Sequence, residues 1–414
     1  MLYERWGRTV ENFRGDFALG DQVTGRRWTF GQLRDAAERV PPSGEAVVYP
    51  QGNLPEFILS ILAAWRAGKI ICPVEQGQSS PELPANLPPC AHLKLTSGTT
   101  GRPRLIAFTA EQLIADAENI VATMGLRRDW PNVGVISLAH SYGFSNLVLP
   151  LLLHGVPLIL SSPLPEAFRL ATASGGRVTV ASVPALWRTW HEAGAIVPNI
   201  CLAISAGAPL PVQLEQAVFD STALKLHNFY GSSECGGIAY DAGQSPRADD
   251  SFAGTPMQNV SLSTNTDDCL VVRSRAVGME CGDQAPNPDG KCFVTSDLAE
   301  LDGARVHLRG RASDLINVAG RKVSPAVVES ALLRHPAVRE CVVFGVPSAD
   351  ANRVDEIAAC VVVKPGVTTE ELRQFLARQL PAWQWPRRWR FVESLGTNER
   401  GKVSRAEWRA TFLK

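Results

Sequence analysis

A short segment at residues 93–109, LKLTSGTTGRPRLIAFT, has the composition of an anion-binding loop. An apolar run ends in glycines and hydroxyl residues, and Arg102 and Arg104 follow. Glycines let a backbone approach a ligand closely, hydroxyls and free N–H groups donate hydrogen bonds, and the arginines supply positive charge. The segment therefore predicts a phosphate cradle, with an ordinary surface loop as the alternative.

Other chemical signatures are missing from the sequence. No stretch matches the Walker A pattern G-x-x-x-x-G-K-[ST], which disfavours a P-loop kinase or ATPase. No stretch matches G-x-S-x-G, which disfavours a hydrolase with a nucleophile elbow. The nine cysteines contain no C-x-x-C pair, so reduced thiols are predicted rather than a zinc site or a disulfide framework.

Length and composition indicate a multidomain globular protein. With 414 residues, of which 45% are hydrophobic and 20% charged, the chain can bury a sizeable core divided among two or three domains. Its formal net charge of +0 gives no support for binding nucleic acid or an anionic membrane. Neither a run of about 18 uncharged apolar residues nor a signal-peptide layout is found, so a cytoplasmic protein is expected.

The elements that must position the cradle follow an α/β pattern. A helix running to about Gly68, a buried strand at 70–74 and a Pro-rich loop at 78–89 are predicted before it. After it, short Val/Ile/Leu-rich strands alternate with helical stretches, which is typical of a sheet with crossover helices. These strands are predicted at residues 133–139, 157–161, 178–182 and 201–207.

A second unit is predicted to begin at Arg311, which divides the chain into domains at 1–310 and 311–414. Ser324 as N-cap and Pro325 at the first helical position predict a helix, and two strands and another helix follow. The second unit has 17 Lys and Arg against 11 Asp and Glu, a net charge of +6, which leaves −6 for the first. Opposite charges suit a cleft that handles an anion, with solvated surface charge as the alternative.

Five ordered motifs resemble signatures of the adenylate-forming superfamily, which includes acyl- and aryl-CoA synthetases, luciferases and adenylation domains of peptide synthetases. They are the cradle, NFYGSSECGG at 228–237, VTSDLAEL at 294–301, RGRASDLINVAGRKVSPAVVES at 309–330 and GTNERGKVSR at 396–405. The resemblance implies an α/β protein. Its large N-terminal domain has β-sheets with packed helices, and its small C-terminal α+β lobe is mobile.

The resemblance implies a two-step reaction that uses ATP, Mg²⁺ and coenzyme A. A carboxylate attacks the α-phosphorus of ATP to give an acyl-adenylate and pyrophosphate, and a thiol then takes the acyl group. Because two anions meet in the first step, cations and backbone donors must neutralise charge. The residues carried over as the cradle are Thr96, Ser97, Gly98, Thr99, Thr100 and Gly101, with Arg104 where most members have lysine.

Two further charged residues are implied to act in adenylation. Glu234 would hold Mg²⁺, since a hard cation prefers carboxylate oxygen and few protein ligands. Lys402 would bridge the carboxylate and the α-phosphate as a point charge on a long stem. Because Lys402 lies far in sequence from the cradle, it can act only when the small lobe closes.

The resemblance also assigns the residues that would bind the nucleotide and the thiol substrate. Asp297 is carried over as the residue that binds the ribose hydroxyls, although serine replaces the glycine before it, and Arg311 is its partner. The adenine site is carried over to Asn228, Tyr230, Gly231, Ser232 and Ser233, with Gly207 and Ala208 in a strap on the other face. Gly320 and Lys322 would face the pantetheine and phosphates after rotation about Ser313, with a plain turn as the alternative for Gly320.

The acid and its acceptor are less closely defined. Residues 137–150 contain no acidic side chain to hold an amino group, so an amino acid is disfavoured. His140 is implied to orient the carboxylate, or is a core histidine, and Tyr142, Phe144, Ala206 and Gly207 suit an aryl or medium-sized apolar acid. The acceptor is coenzyme A or a carrier protein's phosphopantetheine, and a non-catalytic nucleotide-binding subunit is the third reading.

The segment before the cradle is shorter than in related enzymes. About 18 residues separate AGKIICPV from the cradle, where relatives usually have extra strands and helices. A missing layer would leave a sheet edge open to a partner subunit, as in a homodimer.

Overall fold

Two sheets with packed helices form the first three quarters of the chain. The structure is a computed structural model that describes residues 1–41, 43–96, 104–173, 176–281, 291–348, 355–396 and 403–414. Its strands here are β1 (Phe17–Asp21), β2 (Arg26–Thr29), β3 (Val47–Val48), β4 (Ile70–Ile71), β5 (His92–Thr96), β6 (Arg104–Phe108), β7 (Asn132–Gly134), β8 (Leu158–Leu160), β9 (Val178–Ser182), β10 (Ile200–Ser205), β11 (Leu226–Ser232), β12 (Gly236–Tyr240), β13 (Phe252–Pro256), β14 (Ser261–Thr264), β15 (Cys269–Arg273), β16 (Met279–Glu280), β17 (Cys292–Asp302) and β18 (Arg305–Arg311).

The helices of this part cover both sheets with their apolar faces. They are α1 (Leu2–Phe13), α2 (Phe30–Arg39), α3 (Pro55–Arg66), α4 (Ala110–Met124), α5 (Ser141–Gly143), α6 (Leu149–His154), α7 (Pro165–Ala173), α8 (Pro184–Glu192) and α9 (Val212–Thr222), with a π-helical segment, Phe144–Val148, joining α5 to α6. Helix α4 begins at a capping box of Thr109 and Gln112 and ends at Gly125, whose φ of 67° suits a residue without Cβ. The helix predicted to run to about Gly68 is confirmed as α3.

The larger sheet has the order β14-β15-β17-β18-β13-β12-β11-β10-β9-β7-β8-β1-β2. Strands β7 to β11 within it are parallel, and the buried strands β8, β9 and β10 account for the predicted Val, Ile and Leu runs. Ser182 and Ser205 end β9 and β10, and Asn228, the third residue of β11, lies beside Ser205. Ligands bind at this edge of an open parallel sheet, so the register places the predicted adenine and strap motifs where a ligand is expected.

The strand predicted at 133–139 is too long. Strand β7 ends at Gly134, and the chain then leaves the sheet and reaches α5 through residues 135–140. The prediction at 70–74 is also too long, because β4 covers only Ile70–Ile71. Apolar residues beyond a strand end keep the sequence pattern of a strand, although their backbone no longer pairs.

The smaller sheet has the order β16-β6-β5-β4-β3. Strands β3, β4 and β5 are parallel, with Ile71 opposite His92, and β5 pairs antiparallel with β6. Strand β5 leads into the predicted cradle and is called the phosphate strand below. It and the returning strand β6 form the two sides of that cradle. The residues between them, 97–103, lie outside those described.

The C-terminal part forms a separate α+β lobe. Its elements are β19 (Ile316–Val318), β20 (Arg321–Val323), α10 (Pro325–Leu333), β21 (Val338–Pro347), β22 (Asp355–Val363), α11 (Thr369–Ala377), β23 (Arg388–Phe391) and α12 (Arg405–Leu413). Ser324 and Pro325 start helix α10 as predicted, although the Ser324 hydroxyl makes no capping hydrogen bond. The two-part α/β architecture predicted from the sequence is confirmed.

Asp250 joins the lobe to the N-terminal part. One carboxylate oxygen accepts from the Val212 backbone N–H at 2.8 Å, and the other accepts from the Ser330 hydroxyl at 2.9 Å. Arg334 lies 3.5 Å from the same carboxylate. Strand β18 ends at Arg311, one residue after the domain boundary predicted at 310/311, and that boundary stays a prediction. No helix of the described residues has both the length and the hydropathy needed to cross a bilayer.

Candidate active site

Tyr230, Asp297 and Arg311 form one hydrogen-bonded cluster. The Tyr230 hydroxyl donates to Asp297 Oδ2 at 2.6 Å, and Arg311 Nε donates to Asp297 Oδ1 at 3.0 Å. Burial and then the Asp297 charge raise the pKa of Tyr230 well above its usual value, so the phenol stays protonated and can donate. The side chain of Arg311 is half exposed. Burial lowers the pKa of Arg311, but the Asp297 charge outweighs that effect and the net shift is upward.

The pairing of strands explains how two of these three residues meet. Asp297 and Arg311 are opposite each other in the antiparallel pair β17 and β18, which holds their side chains on one face. Tyr230 comes from β11, 67 residues earlier. The third and fourth motifs thus meet the second at one carboxylate, as the resemblance implies.

Glu234 and Arg104 connect the second motif to the cradle. Arg104 Nη2 donates to Glu234 Oε1 at 2.9 Å, and Arg104 Nη1 lies 3.2 Å from Glu280 Oε2. Glu280 was not predicted as a site residue. Its strand β16 pairs with β6, so Met279 lies opposite Ala107 and Glu280 opposite Ile106. Arg104 therefore neutralises two carboxylates beside the cradle in this state.

A buried chain of polar groups lies behind Glu234. Lys94, on the phosphate strand, places Nζ 3.5 Å from the Ser145 hydroxyl, and that hydroxyl donates to Asp116 Oδ2 at 2.6 Å. All three residues are at most 5% exposed. Burial lowers the pKa of Lys94, and the Asp116 and Glu234 charges partly offset this effect. Lys94 Nζ also lies 4.4 Å from the centroid of the Phe108 ring.

The same Asp116 fixes the turn that carries Glu234. Its Oδ1 accepts from the Gly237 backbone N–H at 3.0 Å. Gly236 has a φ of 69°, and a Cβ at that position would lie 2.1 Å from Asp116 Oδ1. Only glycine fits this turn, both for its backbone conformation and for its closeness to the carboxylate. Asp116 thereby sets the position of the backbone two residues after Glu234.

Several buried hydroxyls at this edge have no hydrogen-bond partner among the described residues. They belong to Thr96 at the end of β5, Ser182 at the end of β9 and Ser205 at the end of β10. Buried polar groups are normally paired, so unpaired hydroxyls at the carboxyl ends of strands fit a site that a polar ligand fills. Gly207 follows Ser205 with a φ of 85°, which turns the predicted strap, Gly207 and Ala208, away from the sheet.

Other predicted residues have partners within the protein. The Asn228 side chain donates to the Ala253 carbonyl at 3.0 Å, and Ser232 Oγ accepts from the Cys235 backbone N–H at 3.1 Å. His140 caps helix α5 and accepts from the Tyr142 backbone N–H at 3.4 Å. These contacts hold the segments in place, and the ligand roles of Asn228, Ser232 and His140 remain predictions. Ser233 lies in the turn after β11, and Gly231 lies near the end of β11, where a Cβ would be 2.7 Å from the Gly236 carbonyl oxygen.

The remaining predicted residues lie in the C-terminal lobe or outside the described residues. Gly320, with a φ of 81°, and Lys322 are exposed on the β19–β20 hairpin. The structure does not record a contact between either residue and the Tyr230–Asp297–Arg311 cluster within the part it describes. Ser97, Gly98, Thr99, Thr100, Gly101 and Lys402 lie outside the described residues.

Arg405 anchors the chain three residues after Lys402. It donates to Asp314 at 2.6 Å, to Glu329 at 2.7 Å and to the Val343 carbonyl at 2.7 Å. Burial lowers the pKa of Arg405, but the Glu329 and Asp314 charges outweigh it and the net shift is upward. Because Asp314 is next to Ser313, the lysine motif and the predicted pivot share one ion-paired network.

Replacing Arg405 with methionine should destabilise the C-terminal lobe. Glu329 would keep a mostly buried charge without its partner, at a cost of about 2–4 kcal/mol. Urea unfolding followed by tryptophan fluorescence would measure the loss. Arg409→Met, on the exposed side of the same helix, is the control and should change stability by less than about 0.5 kcal/mol. Equal midpoints for the two variants would contradict the anchoring role.

Sequence reasoning missed the residues that support the predicted ones. Asp116, Ser145 and Glu280 lie outside the five motifs, and Lys94 lies in the cradle segment but was given no role. The partners of these four residues lie between 29 and 176 residues away. One signal was available for Lys94, because a lysine in the apolar strand HLKLT needs a buried partner. Asp116 likewise interrupts a small-residue stretch, IADAEN, on the buried face of α4.

Known proteins resemble this chain in sequence and in fold. The AMP-binding enzyme family matches residues 84–268, and its C-terminal domain family matches residues 327–402. A probable 2-succinylbenzoate–CoA ligase of Mycobacterium tuberculosis is 30% identical over 330 residues, 75% of this chain and 82% of that protein. A 3,4-dihydroxybenzoate–(aryl-carrier protein) ligase of Bacillus anthracis is 26% identical over 316 residues, 76% and 72% of the two chains. ATP-bound MatB from Rhodopseudomonas palustris has a TM-score of 0.84 at 19% identity, covering 100% of this chain and 99% of that one.

The fold and the matched regions define an adenylate-forming enzyme with a large N-terminal part and a small C-terminal lobe. The chain belongs to the AMP-binding enzyme family. The superfamily predicted from five motifs is therefore confirmed, as is the prediction of an acid–thiol ligase at the level of enzyme class.

Proposed function

We propose that this enzyme activates a carboxylic acid with ATP and Mg²⁺ and then transfers the acyl group to coenzyme A. The observation that carries the proposal is that the end of β11 and the turn after it make two separate contacts, one at Tyr230 and one at Glu234. Tyr230 joins Asp297 and Arg311, and four residues later Glu234 joins Arg104 beside the cradle. The segment from Tyr230 to Glu234 would thus bring the carboxylate proposed to bind ribose, Asp297, near the carboxylate proposed to lie beside the phosphates, Glu234, as a nucleoside triphosphate requires.

The chain's own residues would divide the work of adenylation. Asp297 would accept hydrogen bonds from the ribose hydroxyls, with Tyr230 and Arg311 holding its two oxygens in place. Thr96 would offer its unpaired hydroxyl to a phosphate oxygen. Arg104 would move its charge from Glu234 to the triphosphate, which leaves the Glu234 carboxylate available to a cation.

The donor set around Glu234 fits Mg²⁺. The described residues contain no cluster of three or more carboxylate, imidazole or thiolate ligands, and Mg²⁺ bound with a nucleotide typically needs only one or two carboxylates plus phosphate oxygens. When bound, the ion would neutralise the triphosphate and the charge that develops at phosphorus. Glu234 would hold it, and Asp116 would fix the turn on which Glu234 stands.

A carrier protein is the second candidate acceptor. The similarity to an aryl-carrier protein ligase favours it, because that relative matches 76% of the chain. Both acceptors present the same pantetheine thiol, so the adenylation machinery is common to the two readings. An aryl or medium-sized apolar acid remains the substrate class that the sequence predicts.

Pyrophosphate release would test the proposal and separate the acceptors. The purified enzyme is given ATP, Mg²⁺ and single acids from aryl, fatty and amino acid sets, first without a thiol and then with coenzyme A. Release that depends on the acid, with a thioester formed only when coenzyme A is added, is the expected result. Release without a thioester would favour a carrier protein. If no acid gave pyrophosphate release, the proposed activity would be contradicted and a non-catalytic nucleotide-binding subunit would be favoured.

A further inference from the structure

A cavity lies beside the phosphate strand, where segments from both sheets come together. Residues 73–75 and Gln78 line it after β4, Lys94 and Leu95 line it from β5, and residues 139–141 line it after β7. All three segments lie at or near the carboxyl ends of their strands. The enclosed space has room for only roughly one or two water molecules, so its residues can form one wall of the acid site but cannot enclose the acid. Because the acid must reach the α-phosphate, a wall that adjoins the phosphate strand lies where the acid must pass.

The register of the smaller sheet brings Glu75 to this edge. Ile71 of β4 lies opposite His92 of β5, so Glu75 and Thr96 each follow that pair by four residues. The Glu75 segment thus leaves the sheet beside the end of the phosphate strand. This segment belongs to the shortened region of the chain, so its wall of the cavity is a feature that no motif defines.

Neighbouring groups hold the Glu75 side chain in the wall. Its Oε2 accepts from the Ser137 hydroxyl at 2.8 Å, and its backbone N–H donates to Gln78 Oε1 at 3.2 Å. Its second oxygen, Oε1, makes no hydrogen bond with any residue that the structure describes. An ionised carboxylate only accepts hydrogen bonds, so an occupant that contacts Glu75 must offer an N–H or O–H group.

Lys94 contributes the opposite charge to the same cavity. Lys94 is 5% exposed, and its ammonium group contacts a hydroxyl and an aromatic ring rather than forming a direct ion pair with a described carboxylate. A substrate with a carboxylate at one position and a hydrogen-bond donor at another would match both charges. A wholly apolar acid would shield Glu75 Oε1 from water without offering it a hydrogen-bond donor, which is costly, while Oε2 would keep the Ser137 hydroxyl.

We propose that Glu75 selects carboxylic acids that carry an amino or hydroxyl group away from the carboxyl. The inference rests on the proposed function and narrows its substrate class. It also departs from the sequence-based expectation of an aryl or medium-sized apolar acid, which followed from Tyr142, Phe144, Ala206 and Gly207. Residues 137–150 contain no acidic side chain, but Glu75, which lies 62 residues before its partner Ser137, supplies one here.

ATP–pyrophosphate exchange with matched acid pairs would test the selection. The pairs are benzoate with 4-hydroxybenzoate or 4-aminobenzoate, and cinnamate with 4-hydroxycinnamate. We expect the natural enzyme to favour the donor-bearing member of at least one pair by 10-fold or more in kcat/KM. Glu75→Met, which keeps length but removes the acceptor, should lower that ratio at least 10-fold with little change in the KM for ATP.

Two further variants separate a specificity role from a structural one. Glu75→Gln keeps an acceptor oxygen and should restore part of the preference lost in Glu75→Met. Glu82→Met, on the exposed part of the following loop, is the matched control and should leave the ratio unchanged. Two results would overturn this inference but leave the proposed function standing. One is an active enzyme whose kcat/KM ratio is unchanged in both Glu75→Met and Glu75→Gln, and the other is a natural enzyme that favours the unsubstituted acids. No exchange with any acid would overturn the proposed function and this inference with it.

Discussion

Replacing Lys402 with alanine should slow adenylate formation about 100- to 1,000-fold, the usual loss when one group that stabilises transition-state charge is removed. Thiol transfer from a preformed acyl-adenylate should change only a few fold, because the α-phosphate is then no longer under attack. The two half-reactions are measured separately, by pyrophosphate release without a thiol and by thioester formation from synthetic acyl-adenylate and coenzyme A.

A matched control isolates the role of Lys402 from the charge of its lobe. Lys364→Ala removes an exposed lysine of the same lobe and should leave both half-reactions unchanged. Because Arg405 fixes the chain shortly after Lys402, the alanine variant should keep the natural stability of the lobe. Equal losses in the two half-reactions would contradict the role of Lys402 in adenylation.

The sequence predicted the architecture because its signals are local. Proline at the first helical position and hydrophobic periodicity mark the start of α10, and runs of β-branched residues mark buried parallel strands such as β9. Strand ends were less predictable. Residues 135–139 keep an apolar pattern after β7 because they line the interior, although the backbone has already left the sheet.

The site was predicted only where residues lie inside a motif. Asp297 and Arg311 are 14 residues apart, and each lies in a recognised motif, whereas the contact between Arg104 and Glu234 joins residues 130 positions apart. Asp116 reaches Gly237 across 121 residues. Contacts of this kind depend on the packing of α4 against β12, which no local pattern specifies.

Replacing Gly236 with alanine should damage both stability and adenylation. The new Cβ would lie 2.1 Å from Asp116 Oδ1, whose carboxylate is buried and held by Ser145 and Gly237. We expect a loss of about 3 kcal/mol or more, from the overlap and from the left-handed backbone together. The rate of ATP–pyrophosphate exchange should fall at least 10-fold, because the turn carries Glu234. Urea unfolding and exchange kinetics measure the two effects.

The backbone contribution can be separated from the overlap with a second glycine. Gly125 has a φ of 67°, close to the 69° of Gly236, but a Cβ there would meet no atom within 4 Å. Gly125→Ala should therefore cost only the backbone strain, about 1–2 kcal/mol, and leave exchange intact. The additional loss in Gly236→Ala would then come from the overlap with Asp116. In that case the double variant Gly236→Ala/Asp116→Ala should lose less stability than the sum of the two single-variant losses. Strict additivity, or equal losses for Gly125→Ala and Gly236→Ala, would show that Asp116 does not position the Glu234 turn.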